Sequence, residues 1–173
     1  KDYLYIGVTY EDFPKVITLR KHDLKKVKKY WGPYPSSRTV RETLKQIRRV
    51  FPWCSGRHGR ACFYYHLGLC LGACVGLIDR QHYNKIINRF TKFLVGKKDE
   101  LVDELISEME EAAKDQKFEE AAKLKKMLDG IYYLTQTNRV QLFLENPNFL
   151  EEETKLALRE LQRDLHLPNL PKR

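Results

Sequence analysis

The fold of this chain is decided by residues 54–74, which read CSGRHGRACFYYHLGLCLGAC and hold every cysteine of the sequence. The cysteines follow the spacing C-x7-C-x7-C-x3-C, with glycines threaded between them. Four clustered thiols are the ligand set of a tetrahedral zinc ion or of a cubane iron–sulfur centre. Because a glycine-rich loop has little apolar core of its own, we expect a metal to hold it together. The candidate ligands are Cys54, Cys62, Cys70 and Cys74.

Disulfide bonds and free thiols are the two alternatives to metal binding by these cysteines. Two disulfides need an oxidising compartment, but the sequence shows no signal-peptide segment and no apolar run long enough to span a membrane. We therefore favour a metal and a cytoplasmic location, and four free thiols are the least favoured state. Zinc usually takes paired C-x2–4-C ligands. Only Cys70 and Cys74 approach that spacing, so the wide gaps fit iron–sulfur at least as well. His58 and His66 are expected to face solvent or phosphate rather than the metal.

Charge divides the chain of 173 residues, whose net charge is +9, into two parts. Residues 1–99 hold 21 Lys/Arg and 7 Asp/Glu, whereas residues 100–173 hold 11 Lys/Arg and 16 Asp/Glu. A basic part beside an acidic part indicates two binding roles, one towards a polyanion and one towards a protein. The chain begins with Lys1 rather than Met, so we interpret it as an excised piece of a longer protein.

The residues before the cysteines predict two strands, a turn and a helix. Residues 1–19 are rich in β-forming residues on both sides of a break at 11–14, which predicts two short strands. Residues 21–29 are interpreted as a solvated loop or strand end. Residues 31–35 read WGPYP, and the two prolines predict a rigid turn. Residues 36–50 have an apolar stripe at helical spacing and predict a helix.

The predicted helix carries an excess of cations. Ser36, Ser37 or Thr39 can cap it, and Thr39 and Glu42 are predicted to form a capping box at its start. Glu42 is the only acid among its exposed positions, so the cations exceed what solubility requires, and we predict contacts to nucleic-acid phosphates. The plain alternative is an ordinary solvated face. With two arginines of the cysteine loop added, the predicted DNA-binding residues are Arg38, Arg41, Lys45, Arg48, Arg49, Arg57 and Arg60.

Two further helical regions follow the cysteines. Asp79 is predicted to cap a helix at residues 80–95, which Gly96 ends in the left-handed conformation. Asp99 is predicted to cap the first helix of an antiparallel hairpin that spans residues 99–134, with its turn at residues 115–117. Because two short helices cannot cover a whole apolar seam, part of the seam is expected to stay exposed for an identical or related hairpin. The predicted seam residues are Leu105, Met109, Phe118, Ala121, Ala122 and Leu128.

The predicted fold class is mostly α with a short N-terminal β segment (α+β), in which a metal-stapled cysteine loop precedes an antiparallel helical hairpin. A turn at residues 146–148, a third amphipathic helix at residues 150–165 and an extended exit at residues 167–173 complete the chain. The predicted division is 1–35, the closing strands of a nuclease-type domain with the rigid turn; 36–98, the basic helix, the cysteine loop and the following helix; 99–135, the hairpin; and 136–173, the C-terminal helix and linker.

The order of these pieces resembles the middle of the UvrC family, the incision subunits of the UvrABC excision-repair nuclease. The residues that carry the resemblance are KDYLYI at 1–6 with Phe13-Pro14, WGPYP at 31–35 with VRETL at 40–44, Cys54 and Cys62-x-x-Tyr65 with LCLGAC at 69–74, and Met109-Glu110-x-Ala112 with Phe118-Glu119-x-Ala121-Ala122. The last pair is similar to the UVR motif of the family. Residues 161–173 weakly resemble the approach to the RNase H-like domain of the family.

The resemblance implies a role in nucleotide excision repair within the SOS response. It implies a [4Fe–4S] cluster on the four cysteines, with Zn²⁺ as the alternative, and DNA contact by the basic part. It implies docking of the hairpin, Glu119 included, on a UvrB-like helicase subunit, with a homodimer through the same surface as a substitute. Both nuclease centres are expected outside this chain, so enzyme activity of the chain itself is left open.

Two departures from the family pattern affect this interpretation. Lys125-Lys126 stands where the UVR motif usually has Arg-Asp, which bears on partner contact. Residues 5–7 spell YIG, but without a preceding GIY strand we interpret them as part of a closing strand. The rival hypothesis is an independent zinc-type DNA-binding or regulatory module without a nuclease.

Overall fold

The computed structural model of the chain describes residues 3–136. The predicted turn at 146–148, the helix at 150–165 and the exit at 167–173 lie outside the described residues. Within that range the predicted fold class is confirmed, since a three-stranded antiparallel sheet precedes a mostly helical remainder. No helix between residues 3 and 136 combines the length and apolarity needed to cross a bilayer.

The sheet has the strand order β2-β1-β3, with β1 at Leu4–Thr9, β2 at Val16–Arg20 and β3 at Val27–Tyr34. β1 pairs antiparallel with both neighbours. Alternate residues of a strand face opposite sides, so Leu4, Ile6 and Val8 join the main core while Tyr5 joins a second, smaller cluster. That cluster also contains Leu19 and Val27, and Leu24 of the 3-10 helix Lys21–Lys26 packs against it.

The third strand corrects the sequence interpretation of residues 21–35. The predicted rigid turn is the end of β3, and residues 21–29 form the 3-10 helix and the start of that strand. β3 lies at a sheet edge, where a proline costs no ladder hydrogen bond towards the sheet interior. The Gly32–Pro33 peptide bond is cis, and Gly32 has a φ of 126°, which only glycine adopts readily.

The helix α1 spans Ser37–Val50, and its cap is Ser36, one of the three predicted candidates. Ser36 is the N-cap, and its hydroxyl accepts a 3.2 Å hydrogen bond from the Thr39 N–H. The capping box of Thr39 and Glu42 is therefore wrong, because Glu42 pairs instead with Arg38 at 3.0 Å. Arg38 lies four residues before Glu42, which places both side chains on one helix face.

Three further helices and a short one complete the described part. α2 is a single turn at Phe63–His66, α3 spans Arg80–Leu94, α4 spans Lys98–Lys114 and α5 spans Phe118–Gln136. The predictions for α3 are confirmed, since Asp79 caps it through the His82 N–H at 2.9 Å and Gly96 follows it with a φ of 79°. The cap at Asp99 is wrong, because α4 begins earlier and Asp99 lies in its first turn.

One apolar cluster runs through all these elements. Ile6 of β1, Ile47 of α1, Phe90 of α3, Leu105 of α4 and Ile131 of α5 are each fully buried within it. Each such side chain contributes about 1.5–3 kcal/mol relative to an exposed one. The hairpin of α4 and α5 therefore shares its core with the rest of the chain, and the predicted domain boundaries at 35, 98 and 135 stay predictions.

Two close contacts fix the hairpin to the rest of the protein. At Gly130, α5 crosses α1 so closely that a Cβ atom on this residue would lie 2.7 Å from Cγ2 of Val50. On the other side, buried Arg89 of α3 pairs with Glu104 and Glu108 of α4, at 3.3 and 2.6 Å. Although partial burial opposes ionisation, the partners Lys92 and Arg89 hold the pKa of Glu104 below its usual value.

Candidate metal centre and the basic surface beside it

The four cysteines converge on one point of the fold. Their Sγ atoms all lie within 4.8 Å of one another, and within the described residues they are the one group of side chains placed to hold a metal. Cys54, Cys70 and Cys74 are buried and Cys62 is half-buried, and no disulfide joins any of them. Neither His58 nor His66 belongs to the group. Four sulfurs at this separation can all bind a single centre, so the structure brings the predicted ligands together.

Two kinds of glycine position allow the cysteines to approach. Gly56 lies where a Cβ atom would be 2.5 Å from Cβ of Cys62 and 3.5 Å from Cβ of Cys74, so a larger residue would push the loop apart. Gly72 and Gly76, with φ of 84° and 73°, begin and end the 3-10 turn that presents Cys74. The glycines of residues 54–74 are therefore part of the construction of the site.

Backbone N–H groups point at two of the sulfurs. The Cys62 N–H donates to Sγ of Cys74, and the Gly72 N–H donates to Sγ of Cys70, both at 3.4 Å. Burial raises the pKa of Cys54 and Cys70. Burial also opposes ionisation of Cys62, but hydrogen bonds from the Tyr65 and Ser55 backbone lower its pKa to about 7. Thiols in this state release protons when a metal binds, because the thiolate is the ligand.

Tyr83 connects the cysteine loop to the rest of the core. Its hydroxyl is fully buried, accepts from the Cys54 N–H at 3.0 Å and donates to the Pro14 carbonyl at 2.7 Å. This one hydroxyl therefore ties the β1–β2 loop and the first ligand to α3.

We expect Tyr83→Phe to lower the free energy of unfolding by about 1–3 kcal/mol, because it leaves two buried backbone groups without a partner. Urea unfolding of the metal-free chain measures this. Tyr10→Phe is the matched control, since Tyr10 is 68% exposed and its loss of a hydroxyl should change little. Equal midpoints for the two variants would contradict the expectation.

Arg48 corrects the predicted basic stripe. Its side chain is only 5% exposed, and its guanidinium carbon lies 4.2 Å from the ring centroid of Trp53 and 3.5 Å from that of Tyr64. It donates a hydrogen bond to Oγ of Ser55. The prediction that Arg48 lies on the exposed face is wrong, because two aromatic rings of the cysteine segment cover it. Arg48 lies four residues after the buried Leu44, on the same helix face, and this spacing was the available sequence signal.

The other predicted cations lie at the surface. Arg41, Lys45 and Arg49 are exposed at successive spacings of four along α1, so they form one row. Arg41 and Lys45 line a cleft of about 710 Å³, which is also lined by Phe63, a ring that is 71% exposed. Arg38 is exposed and paired with Glu42, and Arg57 and Arg60 are exposed on the cysteine loop. Their contact with DNA stays a prediction.

The hairpin seam divides into a buried and an exposed part, as expected. Leu105 and Leu128 are buried together with Leu124 and Ile131 of the same apolar stripe. Phe118, in contrast, is 67% exposed, so it belongs to the part of the seam that the chain alone leaves uncovered. Met109 and Ala121 are half-buried and Ala122 is exposed. These three residues, with Lys125, Lys126 and Asp129, line an open groove of about 620 Å³.

Comparison with known proteins gives two family matches that together cover most of the described residues. Residues 3–93 match the family model described as UvrC/Cho excinuclease, middle domain, and residues 99–134 match the UvrB/uvrC motif. No solved structure matches the chain.

Similar curated proteins are each named UvrABC system protein C. The protein of Caldanaerobacter subterraneus subsp. tengcongensis is 39% identical over 81% of this chain, that of Lacticaseibacillus casei 37% over 84%, and that of Streptococcus equi subsp. equi 35% over 81%. The chain spans 24% of the length of each of these relatives. Because the middle-domain model covers more than half of its residues, this chain belongs to the UvrC/Cho excinuclease middle-domain family and carries a UvrB/uvrC motif in its hairpin.

Proposed function

We propose that this chain is the DNA-binding and UvrB-docking central region of a UvrC-like nucleotide excision repair subunit. The observation that carries the proposal is that the two family matches fold around one shared core, with a basic face and an apolar groove on different elements. We assign incision to other parts of the full-length relatives. We assign DNA binding to residues 36–98 and partner docking to residues 99–135. An independent zinc-type module without a nuclease is the competing function.

We propose that the four cysteines hold a [4Fe–4S] cluster. Wide ligand spacing along the sequence, burial and N–H groups directed at two sulfurs support this choice, since hydrogen bonds to sulfur tune such clusters. Because a cubane binds each thiolate to a different iron, loading requires the four Sγ atoms to move further apart than the 4.8 Å seen here. When bound, the cluster supplies a cross-link within residues 54–74 and a one-electron couple. Zn²⁺ is the second candidate, because Zn–S bonds of about 2.3 Å place tetrahedral sulfurs about 3.8 Å apart, within the 4.8 Å limit seen here.

Anaerobic purification with metal analysis separates the two candidates. Iron and sulfide in equal amounts, with a broad visible absorption that a reductant bleaches, support the cluster. Zinc at one equivalent without visible absorption supports the second candidate. The absence of both metals after anaerobic reconstitution, with disulfides formed instead, would rule out the proposed centre.

We propose that the groove on the hairpin accepts an apolar helical segment of a UvrB-like partner. Phe118 lies one turn before Ala121 and Ala122, so its exposed ring extends the same face beyond the groove. A partner hairpin would cover this face in a four-helix arrangement with shallow crossing angles. Glu119 and the exposed lysines Lys125 and Lys126 surround the apolar residues, where charges influence association rate more than affinity.

We expect Phe118→Ala to weaken binding to the C-terminal segment of UvrB by about 2 kcal/mol, because a large aromatic side chain that a partner covers often contributes that much. Calorimetric titration measures the affinity. Phe63→Ala is the matched control, since it removes an equally exposed ring from the cysteine segment. If Phe118→Ala binds as tightly as Phe63→Ala with its helix content intact, the hairpin is only structural. Sedimentation of the chain alone tests the homodimer through the same surface.

A further inference from the structure

The two buried arginines of the described residues differ in what surrounds them. Arg89 is 4% exposed and has two carboxylate partners, Glu104 and Glu108. Arg48 is 5% exposed and has no carboxylate partner within residues 3–136, and its Nε has no hydrogen-bond acceptor. A buried charge without an opposite charge is costly, and proteins normally supply a partner. An anion close to Arg48 would therefore stabilise its buried charge.

The surroundings of Arg48 are built from residues next to the metal ligands. Trp53 precedes Cys54, Ser55 follows it, and Tyr64 is two residues beyond Cys62. Trp53 Nε1 is the other buried donor without a partner in the described part of the chain. Burial lowers the pKa of Arg48, and Tyr64, Cys62 and Cys70 are close enough to oppose that shift. Of these neighbours, the cysteines are the groups that become anionic when a metal binds them.

We propose that Arg48 is the internal counter-charge of the anionic metal–thiolate centre. The proposal rests on the metal centre proposed above. Four thiolates around Zn²⁺ or around a cubane cluster carry a net negative charge, and a fixed cation beside them stabilises the loaded state. Arg48 is a positioning residue rather than a ligand.

A phosphate of bound nucleic acid is the other anion to consider, because Arg48 lines the cleft beside Arg41 and Lys45. The exposed fraction of 5% and the two rings that cover the guanidinium argue against it. A phosphate contact needs an accessible donor, which Arg41 and Lys45 offer at the surface. The observations therefore favour the thiolate centre as the counter-ion.

Zinc is the probe that tests this proposal, because it loads tetrathiolate sites without cluster assembly. The 173-residue chain is prepared metal-free and zinc-loaded as wild type, Arg48→Met, Arg48→Lys and Arg49→Met. Arg49→Met removes the same charge from the next, exposed position of α1. We expect Arg48→Met to lose about tenfold to hundredfold in zinc affinity against a competing chelator, the scale of other changes outside the ligand set. The zinc-induced rise in melting temperature should shrink with it.

Arg48→Lys keeps the charge and loses the planar stacking, so it should retain most of the zinc affinity, and Arg49→Met should retain all of it. A purely structural Arg48 would lower the melting temperature of both forms equally, with an unchanged rise on loading, and that result overturns the proposal. A folded Arg48→Lys whose zinc affinity falls as far as expected for Arg48→Met also overturns it. If Arg48→Met does not fold, the zinc affinity of Arg48→Lys relative to wild type decides the question. A wild type that binds no zinc and no cluster overturns the centre and this proposal together.

Discussion

Cys70→Ala is expected to abolish metal binding and to loosen the chain well beyond the cysteine loop. Cys70 is buried within the main core, and its Sγ lies within 4.8 Å of the other three. Three remaining ligands leave an open position, and structural metal sites of this kind contribute about 10–16 kcal/mol to folded metallo-domains. Metal content, and hydrogen exchange over residues 52–78, measure the two effects.

The control for Cys70→Ala is Val75→Ala. Val75 lies in the same segment, directly after Cys74, but it is partly exposed, so its truncation should leave metal content and exchange unchanged. A Cys70→Ala chain that keeps one full metal centre would contradict the assignment of four ligands. Slow exchange at residues 52–78 after metal loss would show that the apolar packing of Trp53 and Ala73 suffices without the metal.

Slow exchange after metal loss would be informative because the cysteine loop has more contacts with the core than its composition indicates. A segment rich in glycine predicts few contacts of its own, yet Trp53, Cys54, Cys70, Ala73 and Cys74 are all part of the main core. The ring of Trp53 lies 5.4 Å from that of Phe90 on α3. A bound metal and the core would therefore stabilise each other, and the composition of the loop alone does not reveal the contribution of the core.

Features set by local rules were predictable from the sequence. The helical period of the apolar residues located α1, Asp79 and Gly96 bounded α3, and residues 115–117 marked the hairpin turn. The clustering of the four cysteines in 21 residues predicted their convergence. Each of these signals acts within a few residues, so no tertiary contact can easily override it.

Features set by tertiary contact were not predictable. Residues 27–34 form a strand because β1 offers a free edge, whereas their lysines and Pro33 favour a loop. Arg48 has the composition of a surface residue and is buried because Trp53 and Tyr64 fold over it. Gly130 matters only because α5 crosses α1 at Val50. β1 and Val50 lie far along the chain from their partners, and for Trp53 and Tyr64, which are nearer to Arg48, the residue type alone gives no sign of the contact.

Charge reversal of the exposed row on α1 is the second change with a large expected effect. We expect the triple variant Arg41→Glu, Lys45→Glu and Arg49→Glu to lose at least about a hundredfold in duplex DNA affinity at low salt. Three phosphate contacts would be replaced by repulsion, and phosphate neutralisation supplies most of the affinity of a protein that binds without sequence preference. Leaving Arg48 unchanged keeps the metal centre out of the comparison.

The salt dependence separates contact from general attraction. Each lost phosphate contact should lower the slope of log affinity against log salt by about one, so the triple variant should lower it by about three. The matched control reverses Lys114, Lys123 and Lys126 of the hairpin, which are exposed and change the net charge equally. Net charge alone would weaken DNA binding to the same extent in both variants. A loss confined to the α1 variant locates the DNA on the face beside the cysteine segment, whereas equal losses would show that the row on α1 is only a solvated face.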